Sequence, residues 1–446
     1  MPATISPSRT GAFDILLRVE ETDAHAGELL HSEKLEKLSA PDRALATEIV
    51  MGVLRWRSRL DETIAAASSR PTARLDMEVL IALRIAAYQM QFLTRVPAHA
   101  AINESVELVK RAQKRSAAPF ANAVLRRISG AKVQTLPEAV SGDPLQFLAR
   151  ELAHPQWLVK RWIAAFGVDR AFAICRQDQR VPNTTIRLGE PEMEQELATE
   201  GIALAPGALL SSARMVTGGD VTRTRAFGEG RVFIQDEASQ LVAAMIGPGL
   251  RMLDCCAAPG GKTAALAARN PQAEIVAVEL HTHRAELLRK RVRAANVRVM
   301  NANVLDLPLL GSFDRVLADV PCSGTGTLAR NPEIKWRLKP EDLEDLHARQ
   351  VGILKAALKQ LAPGGRAVYS TCSLEHEENE DVIEEVLRDS AAFHLCDCRE
   401  ELERLRAEGE LVLDHLNSLV SGKFLRTLPG VQPCDGFFAA VVEGSG

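Results

Sequence analysis

Two of the eight cysteines in this chain lie where a reactive side chain is expected, directly after segments with the pattern of buried strands. Cys322 follows the segment 315–320, and Cys372 follows the segment 366–370. A cysteine at a strand end near a helix N-terminus is a candidate for a thiol of low pKa, and the thiolate is the nucleophilic form. The pair therefore indicates covalent chemistry at one edge of a sheet. The other cysteines apart from Cys256 are expected to be small buried hydrophobic residues: Cys175, Cys255, Cys396, Cys398 and Cys434.

A glycine turn stands between a short predicted strand and a predicted helix. The strand covers 250–253, the turn is Pro-Gly-Gly at 259–261, and the helix starts near Thr263. A strand, a glycine turn and a helix N-terminus together are typical of a nucleotide or cofactor site. The dinucleotide fingerprint G-x-G-x-x-G is absent, and a P-loop would need a glycine in place of Cys256.

Polar side chains follow the next predicted strands. Glu279 comes about twenty residues after the glycine turn, where a carboxylate suits a pair of ribose hydroxyls. The alternative is an ordinary acidic residue near a helix start. Asn303 and Asp306 follow the third strand, and either could meet an adenine edge, while Asp319 ends the fourth. The sequence therefore predicts a nucleoside-like ligand beside the two cysteines.

The composition is that of an ordinary globular chain. Its 446 residues suffice for two or three domains, and a net charge of -4 means that any nucleic-acid surface must be local. No C-x-x-C pair or zinc-finger spacing occurs, so we expect no metal. We find no leader and no apolar run of spanning length, so we expect a cytoplasmic protein with no membrane partner.

Three regions differ in their patterns. Residues 1–140 have helical patterns throughout, which predicts an all-α domain. Residues 141–235 combine a helical start with short strand-like segments at 184–188, 215–216 and 231–234, which indicates a small α+β module. Residues 236–446 alternate strand and helix with glycine-rich turns at strand ends. That alternation predicts a doubly wound α/β fold with a mostly parallel sheet.

The helical region contains one stretch of biased charge. No acidic residue occurs between Glu107 and Glu138. The bias fits either an ordinary solvated face or a surface that contacts phosphates. The basic residues in this stretch are Lys110, Arg111, Lys114, Arg115, Arg126, Arg127 and Lys132.

Several motifs, in order, resemble those of the RNA (cytosine-5) methyltransferases. They are CAAPGGKT at 256–263, DVPCSGTG at 319–326, NPEIKW at 331–336, TCS at 371–373 and EENE at 377–380. The resemblance covers about 145–445. Residues 8–140 are similar to the NusB-like RNA-binding domain of the Sun/RsmB-type 16S ribosomal RNA methyltransferases. The resemblance thus implies a NusB-like all-α domain, a small α+β module that binds RNA, and a Rossmann-like class I methyltransferase domain.

The resemblance implies S-adenosylmethionine as the cofactor. Glu279 would hold the ribose hydroxyls, and Asp319 would lie between the cofactor and the base. Asn303 departs from the family's usual aspartate beside the adenine, and Asp306 is the alternative for that contact. The turn that would wrap the cofactor consists of Cys256, Ala257, Ala258, Pro259, Gly260, Gly261 and Lys262.

The resemblance also assigns roles to the cysteines. Cytosine C5 is a poor nucleophile until a thiolate adds at C6, and Cys372 would be that nucleophile. Asp319 would hydrogen-bond the base near N3 and N4, and Cys322 would assist release of the product. The base must be unstacked to reach this site. The implied partner is 16S ribosomal RNA, free or in early assembly, with the enzyme acting as a monomer.

Other readings compete with this one. An enzyme that methylates amino groups of DNA or protein would favour an Asn/Asp-Pro-Pro-aromatic sequence, whereas this chain has Asp-Val-Pro-Cys at 319–322. A cytosine-5 methyltransferase acting on another RNA, such as tRNA, would share the same motifs. A non-catalytic RNA-binding or ribosome-assembly factor would not need Cys322 and Cys372, and both are present.

Overall fold

The computed structural model describes residues 5–130, 135–190, 192–388 and 390–445, and the chain divides into two compact units. Unit 1 comprises Met1–Val181 and Leu328–Arg337. Unit 2 comprises Pro182–Thr327 and Leu338–Gly446. The predicted boundaries at 140/141 and 235/236 remain predictions, since packing groups residues 141–181 with the helices before them.

The regular elements in the described residues of unit 1 are all helices, in agreement with the all-α fold that was predicted for 1–140. Helix α4 shows why: Ser39 caps its N-terminus by accepting a hydrogen bond from Asp42 N, and Pro41 lies in its first turn. Apolar faces of α1 and α4–α8 form one core. The helices are α1 (Pro7–Glu21), α2 (Ala26–Leu30), α3 (Glu33–Glu36), α4 (Ala40–Arg55), α5 (Arg57–Ser68), α6 (Met77–Phe92), α7 (Ala98–Arg111), α8 (Ala118–Ile128), α9 (Pro144–Glu151), α10 (Gln156–Phe166) and α11 (Val168–Asp178).

The later segment Leu328–Arg337 completes unit 1. It carries most of the NPEIKW motif, and its last residues form a short helix, Ile334–Arg337. Lys335 Nζ donates to the carbonyl oxygens of Arg55 (2.9 Å) and Ala153 (3.1 Å). Trp336 Nε1 donates to Leu54 O at 2.6 Å. The bonds to Leu54 O and Arg55 O satisfy carbonyl groups at the end of α4 that the helix itself leaves free. Burial lowers the pKa of Lys335 to about 7.

The acid-free stretch of unit 1 is less cationic than its sequence indicates. Acidic groups from elsewhere approach it, so part of its charge is neutralised within the unit. Lys132 lies outside the described residues. The ion pairs are Lys110 with Glu107 (2.7 Å), Arg111 with Asp14 (2.7 Å) and Lys114 with Asp76 (3.1 Å).

Unit 2 begins with an antiparallel sheet of order β2-β3-β1-β4. Its strands near 184–188, 215–216 and 231–234 were predicted, whereas β2 was not. The sequence Ala-Leu-Ala-Pro of β2 is poor in the β-branched and aromatic residues typical of strands. The elements are β1 (Thr184–Arg187), α12 (Glu192–Thr199), β2 (Ala203–Pro206), β3 (Ala213–Gly218), α13 (Arg225–Gly228) and β4 (Phe233–Ile234).

The rest of unit 2 is a mixed α/β sheet. Strands β7, β6, β5, β8 and β9 are parallel neighbours in that order, and β13, β12 and β11 extend the sheet antiparallel beyond β9. Strand β10 pairs with β13. The elements are α14 (Glu237–Met245), β5 (Arg251–Asp254), α15 (Gly261–Arg269), β6 (Glu274–Glu279), α16 (Thr282–Arg291), β7 (Val297–Asn301), β8 (Phe313–Asp319), α17 (Asp342–Leu358), β9 (Leu361–Thr371), α18 (Glu380–Arg388), β10 (Phe393–Cys396), α19 (Cys398–Ala407), β11 (Val420–Ser421), β12 (Phe424–Thr427) and β13 (Phe437–Gly444).

The alternating pattern of the sequence located the parallel strands and missed the elements between 393 and 427. Strands β10, β11 and β12 have two to four residues each, too short for a periodic pattern. The parallel strands place their carboxyl ends at one edge of the sheet, and the predicted site residues follow those ends. Among the described helices, none has both the length and the apolar composition that crossing a bilayer requires.

Gly52 of α4 tests the packing of unit 1. A Cβ at this position would lie 1.9 Å from the Tyr88 ring, which stacks on Phe92 with centroids 5.2 Å apart. Overpacking should outweigh the better helix propensity of alanine, so Gly52→Ala should lower the free energy of unfolding by about 1–3 kcal/mol. Denaturant titration measures this change. Gly27→Ala, within α2, is the control and should be neutral or stabilising, because an added Cβ there would meet no atom within 4 Å. Equal stability of the two variants would contradict the packing described.

Candidate active site

The structure brings the two strand-end cysteines together. Cys322 follows β8, Cys372 follows β9, and their sulfur atoms lie 3.3 Å apart. Both side chains are partly buried. The hydrogen bond with Cys372, followed by burial, raises the pKa of the Cys322 thiol well above its usual value. The raised pKa favours the thiol form of Cys322.

Asp319 is held from two sides at the end of β8. Its Oδ1 accepts a hydrogen bond from Ser370 Oγ at 2.7 Å, and its Oδ2 pairs with Lys262 Nζ at 2.8 Å. Lys262 Nζ also lies 5.1 Å from the centroid of the Phe437 ring. The carboxylate therefore joins the glycine turn to the strand that precedes Cys372. Neither Ser370 nor the pairing of Lys262 with Asp319 had a signal in the sequence, because both depend on neighbouring strands.

The turn between β5 and α15 requires its glycine. Gly260 caps α15 with a φ of 110°, and a Cβ there would lie 2.7 Å from Val292 Cγ2. Ala257 N donates to Val278 O at 2.9 Å, which fixes the turn against β6. The predicted helix start near Thr263 is two residues late, since α15 begins at Gly261. The free N–H groups of this helix start are the kind that bind a polar ligand.

The polar residues after β6 and β7 lie where the strands end. Glu279 is 4% exposed, and its Oε1 accepts a hydrogen bond from His281 N at 2.9 Å. Asn303 accepts a hydrogen bond from Leu305 N, and its Nδ2 donates to Asp306 Oδ2 at 2.8 Å. The two alternatives for the adenine contact are thus hydrogen-bonded to each other, so they offer one site.

Asp254, at the end of β5, was not singled out in the sequence. It is 1% exposed, and its Oδ2 accepts from Thr263 Oγ1 at 2.7 Å. Its Oδ1 is buried and has no hydrogen-bond partner among the described residues. Burial is the largest cause that raises the pKa of Asp254 to about 7. A buried oxygen without a donor, beside a turn that only glycine fits, is the environment that a polar cofactor would complete.

The fold and this edge of the sheet define the class of protein: a methyltransferase whose cofactor is S-adenosylmethionine. A family model described as 16S rRNA methyltransferase RsmB/F matches residues 246–443. A NusB family model matches residues 6–130, and a model of the ferredoxin-like domain of RsmF/B-like methyltransferases matches residues 154–219.

Known proteins resemble the chain over its length. A probable ribosomal RNA small subunit methyltransferase B of Bacillus subtilis is 33% identical over 450 residues, covering 98% of each chain. A solved structure of the protein designated PH0851 covers 99% of this chain and 100% of its own, with a TM-score of 0.78 at 23% identity, which shows a shared fold. A methyltransferase homolog from Pyrococcus horikoshii covers 68% of this chain and 100% of its own, with 25% identity and a TM-score of 0.55. The chain belongs to the 16S rRNA methyltransferase RsmB/F family.

The raised pKa of Asp254 makes stability depend on pH. The carboxyl is protonated more readily in the folded chain, so its stabilising contribution is complete below about pH 4 and is lost as the pH rises through about 7. The free energy of unfolding of the wild type relative to Asp254→Asn should therefore fall over this interval. Urea titrations at several pH values measure the difference. A constant difference between the wild type and Asp254→Asn would contradict the raised pKa.

Proposed function

We propose that this chain transfers a methyl group from S-adenosylmethionine to C5 of a cytosine in small-subunit ribosomal RNA, through a covalent bond between Cys372 and C6. The observation that carries the proposal is the pair of thiols at the ends of β8 and β9, whose sulfur atoms lie 3.3 Å apart. Asp319 lies at the same strand ends, bonded to Ser370 two residues before Cys372. This combination suits a pyrimidine that must be activated before it reacts.

Cys372 would activate the base. Addition of its thiolate to C6 forms the S–C6 bond and moves the electron pair of the C5–C6 double bond to C5, which becomes enamine-like. Asp319 would hydrogen-bond the base near N3 and N4 and so stabilise the adduct. When bound, the cofactor supplies an electrophilic methyl group. Lys262 and Ser370 fix the position of the Asp319 carboxylate, because each binds one of its two oxygens.

Cys322 would serve the second half of the reaction. Once C5 carries the methyl group, its proton would pass to solvent water as base, the C5–C6 double bond would re-form, and the electron pair of the S–C6 bond would return to the sulfur of Cys372. The thiol of Cys322, whose sulfur lies 3.3 Å from the departing sulfur, would protonate it and later regain a proton from solvent. It would therefore assist the release of the product rather than the attack.

The cofactor would lie at the glycine turn. The backbone of residues 256–262 would wrap it, and Asp254 Oδ1 offers an acceptor that the protein leaves without a donor. The buried carboxylate of Glu279 suits the ribose hydroxyls, and the pair of Asn303 and Asp306 suits the adenine edge. Asp319 would be the boundary between this site and the base.

The substrate class rests on the relatives. The matching family is described as acting on 16S rRNA, and the Bacillus subtilis relative is named for the small ribosomal subunit. The NusB and ferredoxin-like segments would supply RNA contacts outside the site. We propose free or early-assembly 16S rRNA as the form that is methylated, since the target base must be unstacked to reach the cysteines.

The cysteine roles predict different outcomes for two alanine variants. Cys372→Ala should abolish tritium transfer from labelled cofactor to RNA, because no thiolate adds to C6. Cys322→Ala should accumulate a covalent protein–RNA adduct, seen as a denaturant-resistant gel shift, because release is blocked. Cys396→Ala, another partly buried cysteine of the same unit, is the control and should behave as the wild type. Full activity of Cys372→Ala would overturn the mechanism.

The target can be identified in cells. Bisulfite sequencing of 16S rRNA from a strain that lacks this gene should show one cytosine that has lost protection, because methylation at C5 slows bisulfite deamination. Re-expression of the wild type should restore protection, and Cys372→Ala should not. An unchanged 16S pattern with a lost site in tRNA would move the substrate to another RNA, and no change in either would favour a non-catalytic factor.

A further inference from the structure

A fully buried carboxylate joins the two loops that carry the cysteines. Glu378 is 0% exposed and lies in the short 3-10 turn His376–Glu378 that follows β9. Its Oε1 accepts hydrogen bonds from Ser323 N at 2.8 Å and from Gln350 Nε2 at 2.9 Å. Its Oε2 accepts hydrogen bonds from the hydroxyl groups of Ser323 and Ser373. One side chain thus gathers donors from three separate segments of unit 2.

The donors are the immediate neighbours of the cysteines. Ser323 follows Cys322 in the chain, and Ser373 follows Cys372. The two serine hydroxyl oxygens also lie 3.0 Å from each other. The carboxylate of Glu378 therefore links the two backbone segments that carry the cysteines.

A second contact holds Cys322 from its other side. Gln350 of α17 is fully buried and donates both to Glu378 and to the carbonyl oxygen of Pro321, at 3.0 Å. Pro321 directly precedes Cys322, so the residues before and after this cysteine are both tied to the same carboxylate network. Tyr369 of β9 fixes the turn itself, because its hydroxyl donates to Glu378 O at 2.6 Å.

The chemistry of these bonds makes them directional. The four described donors to the carboxylate are neutral, so the carboxylate is stabilised by hydrogen bonds alone. Hydrogen bonds in a buried site are strong, and each fixes an angle as well as a distance.

We propose that Glu378 is a positioning residue that sets the spacing of Cys322 and Cys372. It touches neither substrate nor cofactor and acts through Ser323 and Ser373. The inference rests on the covalent mechanism proposed above, in which one sulfur attacks and the other assists release. Without these hydrogen bonds to Glu378, the loops after β8 and β9 would position their cysteines independently. The sulfur atoms would then lose the spacing that attack and release both need.

Two conservative substitutions of Glu378 distinguish the effect of its side-chain length from the effect of its charge. Glu378→Gln keeps the length: its oxygen can accept from Ser323 N and Gln350, and the serine hydroxyls can rotate to accept from its amide. Glu378→Asp keeps the charge but is one methylene too short to reach both loops. The single-turnover rate of methyl transfer should stay within about threefold of the wild type for the glutamine variant and fall about tenfold to a hundredfold for the aspartate variant.

The accompanying measurements exclude a purely structural effect. Rates are taken per folded molecule, and the affinities for cofactor and RNA should be unchanged, so the loss should appear in kcat and not in KM. Glu384→Ala, an exposed glutamate of α18, is the matched control and should retain the wild-type rate. Ser373→Ala, which leaves both Oε1 contacts intact, replaces the aspartate variant if that variant does not fold, and it should also lose rate.

A readout that does not depend on catalysis follows the thiol spacing itself. Phenylarsine oxide bridges two thiols held close together, so the wild type and Glu378→Gln should capture it and Glu378→Asp should capture it less. Cys322→Ala gives the background from the other cysteines. Wild-type rate and capture for Glu378→Asp would overturn this inference alone, whereas full activity of Cys372→Ala would overturn the mechanism on which it rests. An inactive glutamine variant beside an active aspartate variant would show that charge, not position, matters.

Discussion

The site depends on the parallel pairing of β8 with β9. Their register places Asp319 opposite Ser370, and the two loops that follow carry Cys322 and Cys372 to a sulfur separation of 3.3 Å. Parallel strands cannot be joined by a tight turn, so these cysteines are brought together only by formation of the sheet. The other contacts of the site depend on this pairing. Asp319 and Glu378 bind residues in or beside the loops after β8 and β9, and the two strands fix where those loops begin.

The second constraint is the connection between the proposed sites of the cofactor and the base. Lys262 belongs to the glycine turn, where we propose that the cofactor binds, and its ammonium group pairs with Asp319, which we propose contacts the base. Ser370 holds the other oxygen of the same carboxylate. Binding of the cofactor at the turn and placement of the base would therefore both affect the side chain of Asp319. Such shared contacts favour a reaction in which both ligands must be present in register.

The sequence was sufficient for the parts of the fold that repeat locally. The alternating segments after 250 predicted the parallel strands, and the residues at their ends proved to be neighbours because such ends share one edge. Contacts between distant segments had no local pattern. Three features could be found only in the folded chain: the pairing of Arg111 with Asp14, the inclusion of Leu328–Arg337 in the helical unit, and the burial of Asp254. The short strand β2 was missed because its composition is untypical of strands.

Four carboxylates near the strand ends differ in role because their partners differ. Asp319 pairs with a lysine and a serine hydroxyl at the place proposed for the base. Asp254 has a hydroxyl donor and a buried oxygen left over, so burial prevails and its pKa rises. Glu378 receives four neutral donors, which makes it a structural acceptor. Glu279 is anchored through one oxygen by a backbone N–H. Residue type alone does not distinguish these four carboxyl groups. The surrounding donors and the burial differ, and they separate the group whose pKa is raised, Asp254, from the group that is proposed to hold the loops, Glu378.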